Sequence, residues 1–147
     1  MKLPLRRSEL DKFIKYCMVG VLNTLITLGV IFIAKSLIGL NPYVSNILGY
    51  GAGLANSFLW NRRWVFRSTG RMRREALVFL GGFAVCYTLQ FMLVWALTQS
   101  TFGELQLSIS VFTITGYGIA TLLGNVLYTV ANFLYNRLIT FKGHKSL

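Results

Sequence analysis

Residues 16–34 read YCMVGVLNTLITLGVIFIA, nineteen positions without a charged side chain. A helix rises about 1.5 Å per residue, so roughly 20 apolar residues cross the ~30 Å of hydrocarbon in a bilayer. Three more uncharged runs follow, at 36–61, 76–103 and 105–136, each longer than the first. The four fill most of a 147-residue chain that is 54% apolar. That pattern excludes a soluble globule and leaves no room for a separate catalytic domain. It reads as an all-α polytopic membrane protein, one domain over 1–147, with transmembrane helices at about 16–38, 43–60, 76–97 and 109–135.

The charges flank these runs. Lys2, Arg6, Arg7, Lys12 and Lys15 precede the first; Arg62, Arg63, Arg67, Arg71, Arg73 and Arg74 separate the second from the third; Arg137, Lys142 and Lys145 follow the fourth. Only Lys35 falls near a loop on the other side. Fourteen of the fifteen cations thus share one side, and the positive-inside rule assigns that side, with both termini, to the cytoplasm. The net charge of +11 therefore reports topology. A nucleic-acid-binding domain would spread its Lys and Arg over a folded polar surface, so no nucleic-acid partner is expected. The first run is long for a signal-peptide core and Lys35 interrupts its distal end, so it reads as a retained helix. Cys17 and Cys86 fall inside predicted helices, where apolar packing is expected rather than a disulfide.

Local signals sharpen the boundaries. Ser8 with Asp11 fits a capping box, and Leu10, Phe13 and Ile14 share a face opposite Lys12 and Lys15. This predicts either a short helix on the membrane surface or a plain extension of the first crossing helix. Asn41 is placed to cap the second helix, with Pro42 at its first position, where a missing N–H costs nothing. Trp64 and Phe66 sit among arginines, as expected where rings lie at headgroup level. A polar outer loop with Gln99, Ser100, Gly103, Glu104 and Gln106 leads into the fourth helix.

The sequence also repeats. Phe58-Leu59-Trp60-Asn61-Arg62 through Phe66-Arg67 recurs, at a numbering offset of 75, as Phe133-Leu134-Tyr135-Asn136-Arg137 through Phe141-Lys142. At the same offset Gly49 aligns with Gly124. The first and third helices match far more weakly, mainly through Gly20 and Gly82. The expectation is two parallel-repeat hairpins about an axis along the membrane normal.

Two helical stripes stand out. Gly116, Ala120, Gly124, Tyr128, Asn132 and Asn136 recur every four residues, as do Ser45, Gly49, Gly53, Ser57 and Asn61. Small residues at this spacing let helices approach closely in lipid. Each stripe turns polar toward the cytoplasm and ends in an Asn-Arg pair. Uncharged polar groups are numerous inside the predicted helices: Asn23, Thr24, Thr27, Asn46, Asn56, Thr88, Gln90, Asn125 and Asn132. They read either as interhelical hydrogen bonds or as the lining of a polar groove for sugar hydroxyls, since amides both donate and accept.

No Asp or Glu lies within a predicted helix, so a proton-coupled exporter lacks its titratable group. A phosphate-binding Gly-rich loop and a metal-ligand cluster are equally missing, and the one histidine is His144 in the tail. Neither enzymatic turnover nor a metal or other cofactor is expected. Arg71, Arg73 and Arg74 read as topology determinants. Arg62 and Arg137 each follow an Asn at a helix end in matched repeat positions, so their guanidinium forks could bind a lipid-linked phosphate.

The chain resembles GtrA-like membrane proteins over almost its whole length. The resemblance rests on Lys12-Phe13-Ile14-Lys15-Tyr16 with Val19-Gly20 and Asn23-Thr24, on Asn61-Arg62-Arg63-Trp64-Val65-Phe66, and on Asn132-Phe133-Leu134-Tyr135-Asn136-Arg137 with Phe141. Ser57 separates Asn56 from Phe58 and interrupts the Asn-Phe pair seen at Asn132-Phe133. The resemblance implies flipping of polyprenyl-phosphate-linked sugar, on undecaprenyl phosphate or a similar carrier, across the inner (cytoplasmic) membrane. The sugar would then serve cell-surface polysaccharide or glycan synthesis. Arg62 and Arg137 would capture the phosphate, Asn61 and Asn136 orient it, and Asn23 and Asn132 line the path. Expected partners are the lipid-linked sugar, membrane lipids and glycosyltransferases of the same pathway. Four helices enclose little, so a homodimer or larger assembly with glycine stripes at its contacts is expected. The alternative is a non-transporting scaffold that recruits a glycosyltransferase.

Overall fold

The computed structural model describes residues 7–100, 106–109 and 112–142. Lys2, Arg6, Glu104, His144 and Lys145 lie outside the described residues. Four long helices dominate: α1 Arg7–Phe32, α2 Pro42–Trp60, α3 Met72–Gln99 and α4 Gly116–Tyr135. Three stretches, Glu9–Leu37, Met72–Gln99 and Gly116–Thr140, are long and apolar enough to cross a membrane; α2 is not among them. The chain is thus a multi-pass membrane protein by helix length and composition. Residues 8–15 belong to one continuous α1, so the extension reading of that segment holds, and Ser8 lies inside the first turn rather than ahead of it.

Asn41 caps α2 as expected: its side chain accepts from the Tyr43 amide at 2.8 Å, with Pro42 at the first helical position. The fourth helix departs from expectation. It begins at Gly116, not near 109, because β1 Gln106–Ile109 pairs antiparallel with β2 Phe112–Thr115. The all-α expectation therefore gains a small ribbon between α3 and α4. Residues 105–115 read LQLSISVFTIT, which alternates apolar and polar and slips phase between Val111 and Phe112. Period two with a phase slip is the pattern of a hairpin rather than a helix. Thr115 then caps α4, accepting from the Gly118 amide at 3.3 Å.

Within the single expected domain lie two compact units. One comprises Met1–Gly70 with Phe141–Leu147, the other Arg71–Thr140. Each is a pair of antiparallel helices held by glycine. In the first unit a β-carbon on Gly49 would fall 2.8 Å from the Thr27 carbonyl oxygen and against Ile31. In the second, one on Gly124 would fall 2.7 Å from Val94 Cγ2 and 3.2 Å from Gln90 Cγ. At Gly49 the obstacle is backbone and at Gly124 it is side chains that would have to turn aside; a residue without a β-carbon lets the helices close to this distance, which is how small residues hold helices together where burial from water gives no drive.

These contacts correct the repeat. Thr27 and Ile31 in the first unit occupy the places of Gln90 and Val94 in the second, an offset of 63, whereas Gly49 and Gly124 keep the offset of 75. The smaller offset also matches Tyr16 with Phe79 and Val19 with Gly82, all buried. Gly20 is therefore not the counterpart of Gly82: a β-carbon there meets nothing within 4 Å, while Gly82 lies under the Tyr135 ring. The second unit is accordingly the longer between its glycine contacts, and the ribbon takes up the excess.

Candidate functional site

Each Asn-Arg pair sits where an α-helix widens into a π-helical turn. Asn61–Val65 continues α2 and Asn136–Thr140 continues α4. The backbone N–H of Asn61 is shared between the Phe58 and Ser57 carbonyls, and that of Asn136 between the Asn132 and Phe133 carbonyls. The widening starts at the same residue of the repeat both times. Short π-helical turns are rare and cluster at functional sites.

In the first unit the turn closes through Phe66 N–H to Asn61 O at 2.9 Å and Ser68 N–H to Arg62 O at 2.8 Å. The π-helical turn Ile33–Leu37 at the end of α1 closes alike, with Ile38 N–H to Ile33 O at 3.1 Å and Leu40 N–H to Ala34 O at 2.9 Å. The residue that reverses the chain is Gly39 at φ +78° after α1, but Arg67 at φ +49° after α2. An L-residue in that left-handed region costs about 1–2 kcal/mol. Arg67 is exposed, and no pattern in the sequence announced its conformation.

Arg62 is half-buried and donates from Nη2 to the Gly70 carbonyl at 2.8 Å, so one arm of its fork holds the loop that follows. In the same unit, Lys15 Nζ lies 5.5 Å from the centroid of the Trp64 ring. The motif aromatics pack on one another: Phe66 stacks on Phe141 at 5.1 Å, Phe58 on Phe141 at 6.1 Å, and Tyr16 meets Phe66 edge-on at 6.5 Å. The repeated Phe residues therefore pack the site rather than face a ligand.

The predicted amides divide by what they bond. Asn61 is 1% exposed and Asn136 wholly buried. Asn61 Nδ2 donates to Ser57 Oγ at 3.1 Å, and Asn136 Nδ2 to Asn132 Oδ1 at 3.3 Å. Asn132, 4% exposed, passes the chain on by donating to the Tyr128 hydroxyl at 3.2 Å. The second unit thus carries a polar ladder of Tyr128, Asn132 and Asn136 along one helical face. In both units the Oδ1 of the Asn before Arg is buried without a partner. That oxygen is an acceptor, matched to a hydroxyl or another donor; to meet a phosphate oxygen the amide would have to turn over.

Asn23 and Asn56 are joined to each other, Asn56 Nδ2 donating to Asn23 Oδ1 at 2.7 Å across α1 and α2. This gives Asn56 the role its broken motif left open. Gln90 Nε2 donates to Asn125 Oδ1 at 2.6 Å across α3 and α4. Interhelical bonding accounts for all four. Thr24, Thr88, Thr121 and Thr129 each donate to the carbonyl four residues earlier, the usual way to satisfy a hydroxyl on a helix in lipid.

Arg137 is half-buried at the head of its π-helical turn. Charge alone assigns Glu75 to the cytoplasmic loop, yet it lies 4% exposed in the first turn of α3. Its spacing with Phe79, Gly82 and Cys86 places all four on one face, a signal that periodicity alone could have given. No cluster of His, Cys, Asp or Glu able to hold a metal occurs among the described residues.

Comparison with known proteins follows the same lines. Residues 15–141 match the family model described as GtrA/DPMS, transmembrane domain. Over 52 residues the chain is 42% identical to the uncharacterized membrane protein YngA of Bacillus subtilis (strain 168), covering 35% of this chain and 34% of that protein. The match thus spans about a third of the curated relative's length. The family is generally not catalytic, and it fits a role in handling lipid-linked sugars.

Proposed function

Because the chain belongs to the GtrA/DPMS transmembrane-domain family, we propose that it flips polyprenyl-phosphate-linked sugar from the cytoplasmic to the outer leaflet of the inner membrane. The observation that carries this reading is the pair of Asn-Arg π-helical turns, each with a buried Asn followed by a half-buried Arg. In this reading α2 crosses as well: its 19 residues span about 28 Å, close to the ~30 Å of hydrocarbon. Four crossings, with the cations on one side, put both turns at the cytoplasmic face.

Carrying a phosphate through the bilayer centre unassisted costs several kcal/mol or more. Arg62 and Arg137 receive the anionic head where the bilayer is polar, while the polyprenyl tail stays in lipid. The acceptor oxygens of Asn61 and Asn136 meet sugar hydroxyls or, with the amide reversed, the phosphate. Asn23 and Asn132 offer further polar groups, each by exchanging its present partner. The protein acts as a homodimer or larger assembly and takes its direction from consumption of the sugar outside by a glycosyltransferase. A second reading, a scaffold that recruits the glycosyltransferase and moves nothing, is favoured by the engagement of Asn23, Asn56, Gln90 and Asn125 within their own units.

Losing a charged hydrogen-bonding partner costs about 1.5–3 kcal/mol, roughly tenfold or more in affinity. Arg62→Ala and Arg137→Ala are therefore each expected to cut outer-leaflet sugar modification about tenfold in cells while membrane levels of the protein hold. Unchanged modification would remove the phosphate role.

A further inference from the structure

The expected assembly through glycine stripes meets an obstacle, because those glycines are already used. Gly49 and Gly53 lie against α1, Gly124 against α3, and Gly82 under Tyr135. Whatever joins two copies must use another surface.

One polar feature stands at the middle of a helix surface. Asn125 sits at the middle of α4, far from either end, and it is exposed; Gln90 of α3 is half-buried beside it. Their mutual bond of 2.6 Å uses one donor of Gln90 and one acceptor of Asn125. An amide has two donor hydrogens and a carbonyl with two lone pairs. Among the described residues Gln90 Oε1 and the Asn125 Nδ2 group have no further partner. Polar groups this deep in hydrocarbon are costly unless bonded. The flanking Thr121 and Thr129 give their only donor hydrogens to the carbonyls four residues earlier, so neither has one left for Gln90 Oε1.

From this we infer that the α3/α4 face around Gln90 and Asn125 is where a second copy of the chain docks. The leftover groups are self-complementary. Across a two-fold axis, Asn125 Nδ2 of each copy donates to Gln90 Oε1 of the other, the reciprocal pairing an isologous interface requires. Thr121 and Thr129, one turn to either side of Asn125, are small enough to let the two α4 helices close to that distance. In the first unit Asn23 and Asn56 are both half-buried and bonded to each other, and the exposed amide Asn46 lies near the start of α2 rather than at mid-helix. The inference rests on α3 and α4 crossing the membrane, as in the proposal above, but not on transport.

The test is oxidative cross-linking in liposomes, in a background with Cys17 and Cys86 replaced by Ala. Thr121→Cys and Thr129→Cys should each yield a disulfide-linked dimer, and Tyr50→Cys, on the exposed face of α2, should not. Adding Asn125→Leu should lower the cross-linked fraction of Thr121→Cys about tenfold, the worth of two intramembrane hydrogen bonds of about 0.6–0.7 kcal/mol each. Exchanging the amides, Gln90→Asn with Asn125→Gln, should restore it, which separates lost bonding from lost folding. Equal cross-linking with Asn125→Leu, or dimers through Tyr50→Cys instead, would overturn the inference. So would loss of the cross-link on adding polyprenyl-phosphate-linked sugar, which would assign the amides to the sugar. A cross-linked dimer that flips no lipid would sink the transport proposal and leave this interface standing.

Discussion

In the first unit the interhelical amide pair, Asn23 with Asn56, stands little more than one helical turn before the Asn-Arg end of α2. In the second, Gln90 with Asn125 stands about three turns before the Asn-Arg end of α4. The glycine contacts show the opposite behaviour. Gly49 against Thr27 and Ile31, and Gly124 against Gln90 and Val94, fall at matched positions. So do the π-helical turns at Asn61 and Asn136. What the two units hold in common is thus the close helix contact and the widened Asn-Arg end. What they vary is where a polar bond crosses between the helices. A hydrogen bond inside lipid contributes only about 1 kcal/mol wherever it lies along the pair, so its position is free, whereas a backbone approach admits only glycine at one place.

That comparison can be broken most sharply at the glycines. Gly49→Ala pushes its β-carbon onto the backbone carbonyl of Thr27, which cannot move alone, whereas Gly124→Ala meets the side chains of Val94 and Gln90, which can turn aside. Overpacking costs about 1–3 kcal/mol. Gly49→Ala is expected near the top of that range and Gly124→Ala near the bottom, measured by unfolding in mixed micelles. Equal losses would mean that the two contacts do not differ in kind.

The smaller effect concerns the chain reversals. Arg67 holds the left-handed conformation that Gly39 holds after α1. Arg67→Gly should raise stability by about 1 kcal/mol, by removing the side-chain clash of that conformation. A stable but less active Arg67→Gly protein would show that the strained residue serves the site; a neutral result in both assays would make it a loop residue only.

Much of this architecture was legible in the residues. The uncharged runs gave the helices, and the Asn41-Pro42 pair gave the start of α2, because lipid and the helix N-terminus impose rules that a few residues must obey. The second helix of each repeat was legible because its Asn-Arg end recurs in type. The first helix was not, since its packing positions changed type, Tyr16 to Phe79 and Val19 to Gly82, while keeping their places. The start of α4 is masked by apolar content that continues through the ribbon, and only the alternation of 105–115 sets the two apart. At the site, position was legible and chemistry was not. The sequence placed Asn61 and Asn136 at the helix ends, but only the structure shows their Nδ2 groups bonded within the helix and their Oδ1 atoms buried without a partner. Glu75 was hidden by its charge, which suggested a loop, although its spacing placed it on the packed face.

The most direct test is the rate at which purified protein equilibrates a labelled polyprenyl-phosphate-linked sugar between the leaflets of liposomes that contain nothing else. The account expects exchange that scales with protein content and falls about tenfold with Arg62→Ala or Arg137→Ala. Leaflet distribution that stays as prepared at every protein content would contradict it and leave the scaffold.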